Sequence, residues 1–370
     1  MNQSHAQNGV LKWSLRLMAL LAAMAIMGLM LGSPVGATEE FAEPSLLITT
    51  EQLEGLLNDL DVRIIDLRDP AKYQEGHIPF ALSLPAAAVL DSASRIAGAR
   101  RGDAELAQMF GQLGIGSESQ VVLYDDAGGH EAARVLWILR YFGHQNVSLV
   151  DGGFPKWQDD GRHITQQTTL VTQKYFPLDL VPRRLATADW ILDHLGDPSV
   201  VIVDVRQPER YAESHVPGAI NIPWRNNLDA DETWKNPDEL REMYESAGVT
   251  KDDDIVVYCQ GGNHNGHTYL TLKALGYPQV RSYDRAWPEW GSDPSLPKVT
   301  GDSPGAVAAG DLSEGQATTP PRLAEQPLSA GENSGEFNWA WVLIGGLVVV
   351  LLIIGGAVIW RISQRQARAG

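Results

Sequence analysis

One cysteine, Cys259, stands among 370 residues. No intrachain disulfide can form, and no second thiol can resolve a bond made at the first. Positive charge is also scarce. Lys and Arg number 29 against 46 Asp and Glu, for a formal net charge of −17. Acidic residues are absent from 1–37 and 338–370, and those ends hold five of the basic residues: Lys12, Arg16, Arg361, Arg365 and Arg368. The region between keeps 24 basic against 46 acidic residues, a net of −22. Such a surface repels nucleic acid, and it repels small anions wherever local groups do not overcome the field. With 44% apolar and 20% charged residues the balance is globular, and the length suffices for two ordinary domains with cores of their own.

The two ends read differently from the middle. Residues 17–32 form an apolar run behind Lys12 and Arg16, and Val35-Gly36-Ala37 follows as a signal-peptidase type of site. This is the layout of a secretory signal peptide over 1–37. The run is short for a membrane span, which argues against an uncleaved anchor. Residues 339–360 form an uncharged apolar run with Trp at both borders. That is long enough for a transmembrane helix across a bilayer core of ~30 Å. Arg361, Arg365 and Arg368 follow it, so the positive-inside bias puts the 361–370 tail in the cytoplasm. Everything upstream then lies outside, on the periplasmic face of the inner membrane. Residues 298–338 are rich in Pro, Gly, Ser, Ala and Glu without periodicity, and predict a flexible tether spanning roughly 35 Å.

The middle repeats itself. Asp66-Leu67-Arg68-Asp69-Pro70 through Tyr73 to His77-Ile78-Pro79 recurs as Asp204-Val205-Arg206-Gln207-Pro208 through Tyr211 to His215-Val216-Pro217. Val121-Val122-Leu123-Tyr124-Asp125 likewise pairs with Ile255-Val256-Val257-Tyr258-Cys259. Each unit is ~135 residues long, which is the size of a domain and not of a solenoid repeat. Each predicts a helix (Gln52 to Leu57; Trp190 to Leu195), a buried strand, a His-Ile/Val-Pro turn, a Leu- and Met-rich helix, and then a strand, loop and helix. Short apolar strands alternating with helices indicate a parallel sheet covered on both faces. A polar stretch from Pro155 to Pro182 connects the copies.

Cys259 ends the second copy's strand. Gln260-Gly261-Gly262-Asn263-His264 follows as a short loop, and Tyr269, Leu270, Leu272 and Leu275 continue in helical spacing. A strand ending in a tight loop that opens a helix gathers backbone N–H groups around one point and favours an anion there, here a thiolate. In open α/β sheets, ligands bind at this end of the strands. The alternative is a buried structural cysteine, since free Cys is often buried. The Gly-Gly turn and the repeat favour chemistry.

In combination these motifs resemble the tandem rhodanese family of sulfurtransferases, which includes thiosulfate and 3-mercaptopyruvate sulfurtransferases. The likeness covers about residues 44–297. It rests on Asp-x-Arg, Tyr and His-Ile/Val-Pro in each copy. The first copy adds Ala133-Arg134, Gly143-His144, Asp151-Gly152-Gly153 and Trp157. The second adds Tyr258-Cys259, Gly262, His267, Tyr283-Asp284 and Trp290. The resemblance implies two rhodanese domains, each a five-stranded parallel sheet with helices on both faces. The first, 44–163, lacks the cysteine; a linker spans 164–185; the second, 186–297, carries it.

The implied reaction has two steps. The Cys259 thiolate takes the outer sulfur of a small anionic donor, and an external thiol or cyanide removes it. Loop N–H groups from Gln260 through Gly261, Gly262 and Asn263 to His264 are expected to hold the persulfide. Arg210 matches a donor-facing arginine of the family, with a solvated surface charge as its other reading. Asp66 and His77 match an auxiliary carboxylate–histidine pair of the family, but a role in the turn before Pro79 is the favoured reading for His77, as for His215 in the second copy. Neither metal nor cofactor is expected. Thiosulfate enzymes place Arg and Lys where Gln260 and Gly261 stand. Mercaptopyruvate enzymes place Ser at Gly261 and add a second arginine. Thiosulfate is slightly favoured, with His264, protonated below neutrality, as a second positive charge and turnover rising from about pH 8 to 6. A sulfur-carrier module with little turnover is the alternative. A Cys-x5-Arg phosphatase is excluded by Asn265, which stands where phosphate needs an arginine.

Overall fold

Pro-led turns open both copies and set the phase of everything after them. In the first copy Pro44–Leu46 forms a 3-10 turn, and β1 (Leu47–Ile48) leads to Thr49, which caps α1 (Thr50–Leu56) in a reciprocal box with Gln52. β2 (Val62–Asp66), α2 (Pro70–Glu75), β3 (Leu82–Ser83), α3 (Asp103–Gln112), β4 (Gln120–Tyr124), α4 (His130–Tyr141), β5 (Val147–Val150) and α5 (Gly153–Asp159) follow. The second copy runs α6 (Ala188–Asp193), β6 (Val200–Asp204), α7 (Pro208–Glu213), β7 (Ile220–Asn221), α8 (Pro237–Ser246), β8 (Asp254–Tyr258), α9 (His264–Ala274), β9 (Val280–Ser282) and α10 (Ala286–Trp290). This computed structural model describes residues 40–305. The expected signal peptide at 1–37, membrane span at 339–360 and tail at 361–370 lie outside the described residues. Among the described residues no helix is long and apolar enough to cross a membrane.

Both sheets are parallel, with strand orders β1-β5-β4-β2-β3 and β7-β6-β8-β9. Their central strands, Val121 to Tyr124 and Ile255 to Tyr258, are fully buried, as strands covered on both faces must be. The second sheet has four strands rather than the expected five. Pro182–Arg184 forms the opening turn and Thr187 caps α6 through the Trp190 N–H, which leaves Leu185 and Ala186 between, the same spacing as Leu47 and Ile48 of β1. Leu185 makes one parallel bridge to Ser282, where the first copy pairs both Leu47 and Ile48.

The connections are less free than their composition suggests. Pro155 lies inside α5, in the first turn where a missing N–H costs nothing. Residues after it run back over the first copy, and Phe176 packs between Phe110 and Phe142 at 5.4 and 6.3 Å. The tether expected from 298 is pinned at its start. Val299 bridges His215, Gly218 N–H donates to Pro304 O at 2.8 Å, and Gly301 N–H to Ala212 O at 2.8 Å.

The two copies share one continuous apolar core, which includes Leu123 and Trp137 from the first and Val257 and Leu270 from the second. Its seam is α4 against α9. A Cβ on Gly266 of α9 would sit 2.8 Å from both the Cα and the N of Arg134 in α4. Trp234 adds a strap from the second copy. Its N–H donates to Asp151 at 2.9 Å, and its ring lies over Gly129. Gly266→Ala is therefore expected to push the helices apart and lower unfolding stability by about 2–3 kcal/mol. Gly55→Ala, in α1 with open space around it, is expected to add about 0.5–1 kcal/mol. Urea midpoints of the two variants check both signs.

Candidate active site

Cys259 is wholly buried at the carboxyl end of β8. Its Sγ accepts the N–H groups of Gly262 at 3.0 Å and Gly261 at 3.4 Å. Within the expected run from Gln260 to His264, these two N–H groups are the ones on the sulfur; Gln260 itself is exposed. Gly262 has φ +81°, and a Cβ there would meet the Asp284 carbonyl oxygen at 2.6 Å, so the turn needs glycine on both counts. Asn265 Oδ1 lies 3.7 Å from Sγ and accepts from the thiol. Its Nδ2 donates to Ser282 Oγ at 2.8 Å and Tyr283 O at 3.1 Å, which fixes the oxygen end of the amide toward sulfur.

The first copy shows what this loop is built to hold. Asp125 occupies the place of Cys259, and its carboxylate accepts four N–H groups. Ala127 and Gly129 donate to Oδ1 at 2.9 and 2.8 Å, and Glu131 and Ala132 to Oδ2 at 2.9 Å each. Four convergent backbone donors form an anion cradle, and in this copy the chain fills it with its own carboxylate.

His264 starts α9 and stacks on Trp224 at 4.9 Å, with His130 beside it at 4.9 Å. Burial, then His130, then Arg225 push its pKa down to about 4. The imidazole is therefore neutral from pH 6 to 8, and the expected second positive charge is absent there. Asn263 turns its Oδ1 to Arg134 rather than to the sulfur.

Arg210 lies on α7 with 63% of its side chain exposed, and donates to Glu213 at 2.9 Å. Asp66 and His77 do not form a pair. Asp66 Oδ2 accepts from Arg68 Nη2 and from the Tyr124 hydroxyl at 2.6 Å each, and Oδ1 accepts from the Nε and backbone N–H of Arg68 at 3.0 and 2.9 Å, so both carboxylate oxygens are occupied. His77 stacks on Tyr73 at 3.8 Å, and its nitrogens face Tyr73 O at 2.8 Å and Gln167 O at 3.1 Å. Asp204, Arg206, Tyr258, Tyr211 and His215 repeat both arrangements in the second copy. A pattern present with and without the cysteine holds the turn and the strand ends.

Residues of the first copy complete the loop. Arg134, 2% exposed, donates through Nη1 to Gly261 O at 3.2 Å and to Asn263 Oδ1. Through Nη2 it donates to Gly98 O at 2.6 Å and Asp284 Oδ1 at 3.1 Å. Gly98 lies so close that a Cβ on it would meet Gly261 O at 2.2 Å. The sequence signal for Arg134 was a lone cation inside the apolar run from Ala132 to Leu139; its target was not legible. A cleft of about 650 Å³ opens between the 91–103 segment and the 283–289 segment. Arg100 and Asp284 form the wall it shares with the loop, but Cys259 does not line it.

Comparison with known proteins agrees with this architecture. A Rhodanese-like domain model matches residues 49–160 and 187–293. The chain is 32% identical over 265 residues to a thiosulfate sulfurtransferase of Pseudomonas aeruginosa, covering 70% of this chain and 98% of that one. It is 33% identical over 290 residues to the sulfur carrier protein TtuD of Thermus thermophilus, covering 71% of this chain and 99% of that one. An anaerobic ergothioneine biosynthesis enzyme from Chlorobium limicola superposes with a TM-score of 0.66 over 73% of each chain. At 23% identity it speaks for the fold alone. Both copies match one domain model, and relatives a third identical match over nearly their whole length: the chain belongs to the rhodanese family and is a sulfurtransferase.

Proposed function

We propose that Cys259 carries a sulfane sulfur from a small anionic donor, thiosulfate by preference, to an external thiol or cyanide. The observation that supports this reading is the sole thiol held by two loop N–H groups, at the place where the other copy holds a carboxylate. In the first step the thiolate attacks the outer sulfur of thiosulfate. The S–S bond of the donor breaks, its electron pair leaves with sulfite, and Cys259 becomes a persulfide anion. In the second step the acceptor attacks the outer sulfur, and the electron pair of the Cys259 disulfane bond returns to Sγ. Cyanide then leaves as thiocyanate, or a thiolate as its persulfide. The backbone donors act electrostatically in both steps, without proton transfer. Arg210 enters as the cation that turns from Glu213 to the donor.

The sulfur-carrier reading keeps a place, because the described site directs no free cation at the sulfur and one of the relatives is itself named a sulfur carrier. Mass spectrometry separates the two. Incubation with thiosulfate should add one sulfur atom to the wild-type chain and none to Cys259→Ser, and added cyanide should then give many turnovers. Persulfide without multiple turnover selects the carrier; full transfer by the Ser variant removes Cys259 from the mechanism.

His264 gives a second test. Its folded pKa, about 4, lies below the ordinary 6.5, so it gains charge only as pH falls toward 4. Wild type and His264→Ala should show parallel profiles of kcat/KM for thiosulfate between pH 6 and 8, scaled by a constant factor. A ratio that grows as pH falls toward 6 would restore His264 as a donor-binding cation.

We also propose that the catalytic copy works on the outer side of the inner membrane, tethered by the 339–360 segment, on the strength of the arginines at 361, 365 and 368. Protease added to spheroplasts should digest both rhodanese copies and leave a short protected C-terminal fragment. Protection of the copies would reverse the orientation.

A further inference from the structure

We infer that Arg134, from the copy without a cysteine, is a positioning residue that orients and polarises the peptide group holding the Cys259 sulfur. This rests on Cys259 being the sulfur-carrying thiolate. The peptide between Gly261 and Gly262 is trans, so its C=O and N–H point in opposite directions. The carbonyl faces Arg134 Nη1 at 3.2 Å, and the N–H faces Cys259 Sγ at 3.0 Å. One peptide dipole is thus clamped between a guanidinium and a sulfur. A guanidinium is always charged, and a cation at the carbonyl end draws electron density away from the N–H, making it a stronger donor to an anion.

The clamp is fixed from several sides. Arg134 also holds Asn263 Oδ1, two residues along the loop. Its other nitrogen is tied to Gly98 O at 2.6 Å and to Asp284 Oδ1 at 3.1 Å. Asp284 Oδ2 also lies 3.3 Å from Arg100 Nε, and Arg100 pairs in turn with Asp103, so two arginines and two carboxylates form one ion-pair chain behind the loop. The backbone carbonyl of Asp284 occupies the space beside Gly262 that any side chain would need. Gly266 brings α9 within reach of Arg134 in the first place.

The effect belongs to both steps. A stronger Gly262 donor favours the thiolate over the thiol, whose S–H is held by Asn265 Oδ1. In the second step Sγ is the leaving group, and a leaving sulfur departs faster when its anion is stabilised. The cysteine-free copy therefore contributes electrostatically to the reaction through the peptide that Arg134 holds.

The test is the pH dependence of iodoacetamide alkylation of the full chain, in which Cys259 is the only thiol. Arg134→Gln is expected to lower the rate at pH 7 about tenfold while leaving the high-pH plateau unchanged. Arg134→Lys, which keeps the charge but loses the fork, should fall about threefold at pH 7 with the same plateau, and it decides the matter if the Gln variant does not fold. Profiles that superimpose on wild type, or rates that fall or rise by one factor at every pH, would overturn the inference in favour of a purely structural arginine. The alkylation comparison does not depend on sulfur transfer. A wild type that forms no persulfide defeats the sulfur-transfer proposal, whereas a wild type that transfers sulfur with superimposed profiles defeats the Arg134 inference alone.

Discussion

The approach of α9 to α4 governs the rest of the molecule. Gly266 allows the helices to touch backbone to backbone at Arg134, and one apolar core then runs through both copies. That contact has a chemical consequence. The guanidinium is buried, and burying a charge is costly unless its hydrogen bonds are met. Four oxygen acceptors meet those of its two terminal nitrogens, two from the Cys259 loop, one from Gly98 and one from Asp284, while Nε has no partner. Satisfaction of the arginine and shaping of the loop are the same set of bonds. A shift of α4 would leave Arg134 unpaired and release the Gly261–Gly262 peptide together.

Two copies of one loop make an internal comparison. In the first copy a carboxylate fills the cradle and is satisfied by four N–H groups, and the neighbouring Glu131 carboxyl is pushed up to about 7 by burial and then by Asp125 beside it. That loop is occupied by its own side chain. In the second copy a shorter side chain leaves the N–H groups of Gly261 and Gly262 on the sulfur itself. The position that a carboxylate closes in the first copy thus carries the thiol in the second, and the backbone differs with it: Gly129 has φ +78° where Asn263 has −81°. Tyr124 and Tyr258, both held neutral by burial, donate to Asp66 and Asp204 in the same way in each copy, which keeps the strand ends alike.

Much was legible before the fold was known. The repeat, the parallel α/β class and the loop around Cys259 follow from local patterns: apolar strand runs, glycine at a turn, and the spacing of Asp-x-Arg to His-x-Pro. Two expectations failed, the fifth strand and the charge on His264, and the alternative reading of Asp66 with His77 fell away. The fifth strand of the second sheet shrank to one bridge, Leu185 to Ser282, although the turn and the cap leave the same two residues there as form β1 in the first copy. Asp66 and His77 fall in one motif but point to different partners, since the buried arginine takes the carboxylate. His264 lost its charge because Trp224 and His130 enclose it, and those partners lie far away in the chain.

The sequence by itself determined where the sole thiol sits. A single thiol after a buried strand and before a glycine turn is a local arrangement, and backbone geometry alone converges the N–H groups there. Only the tertiary structure decided what its loop is bonded to. Arg134 is separated from Gly261 by 127 positions, and it meets the loop because two helices from different copies pack at a glycine. Charge interactions depend on distance and on the local dielectric. Neither quantity is written in the order of residues, and both appear once the copies share a core.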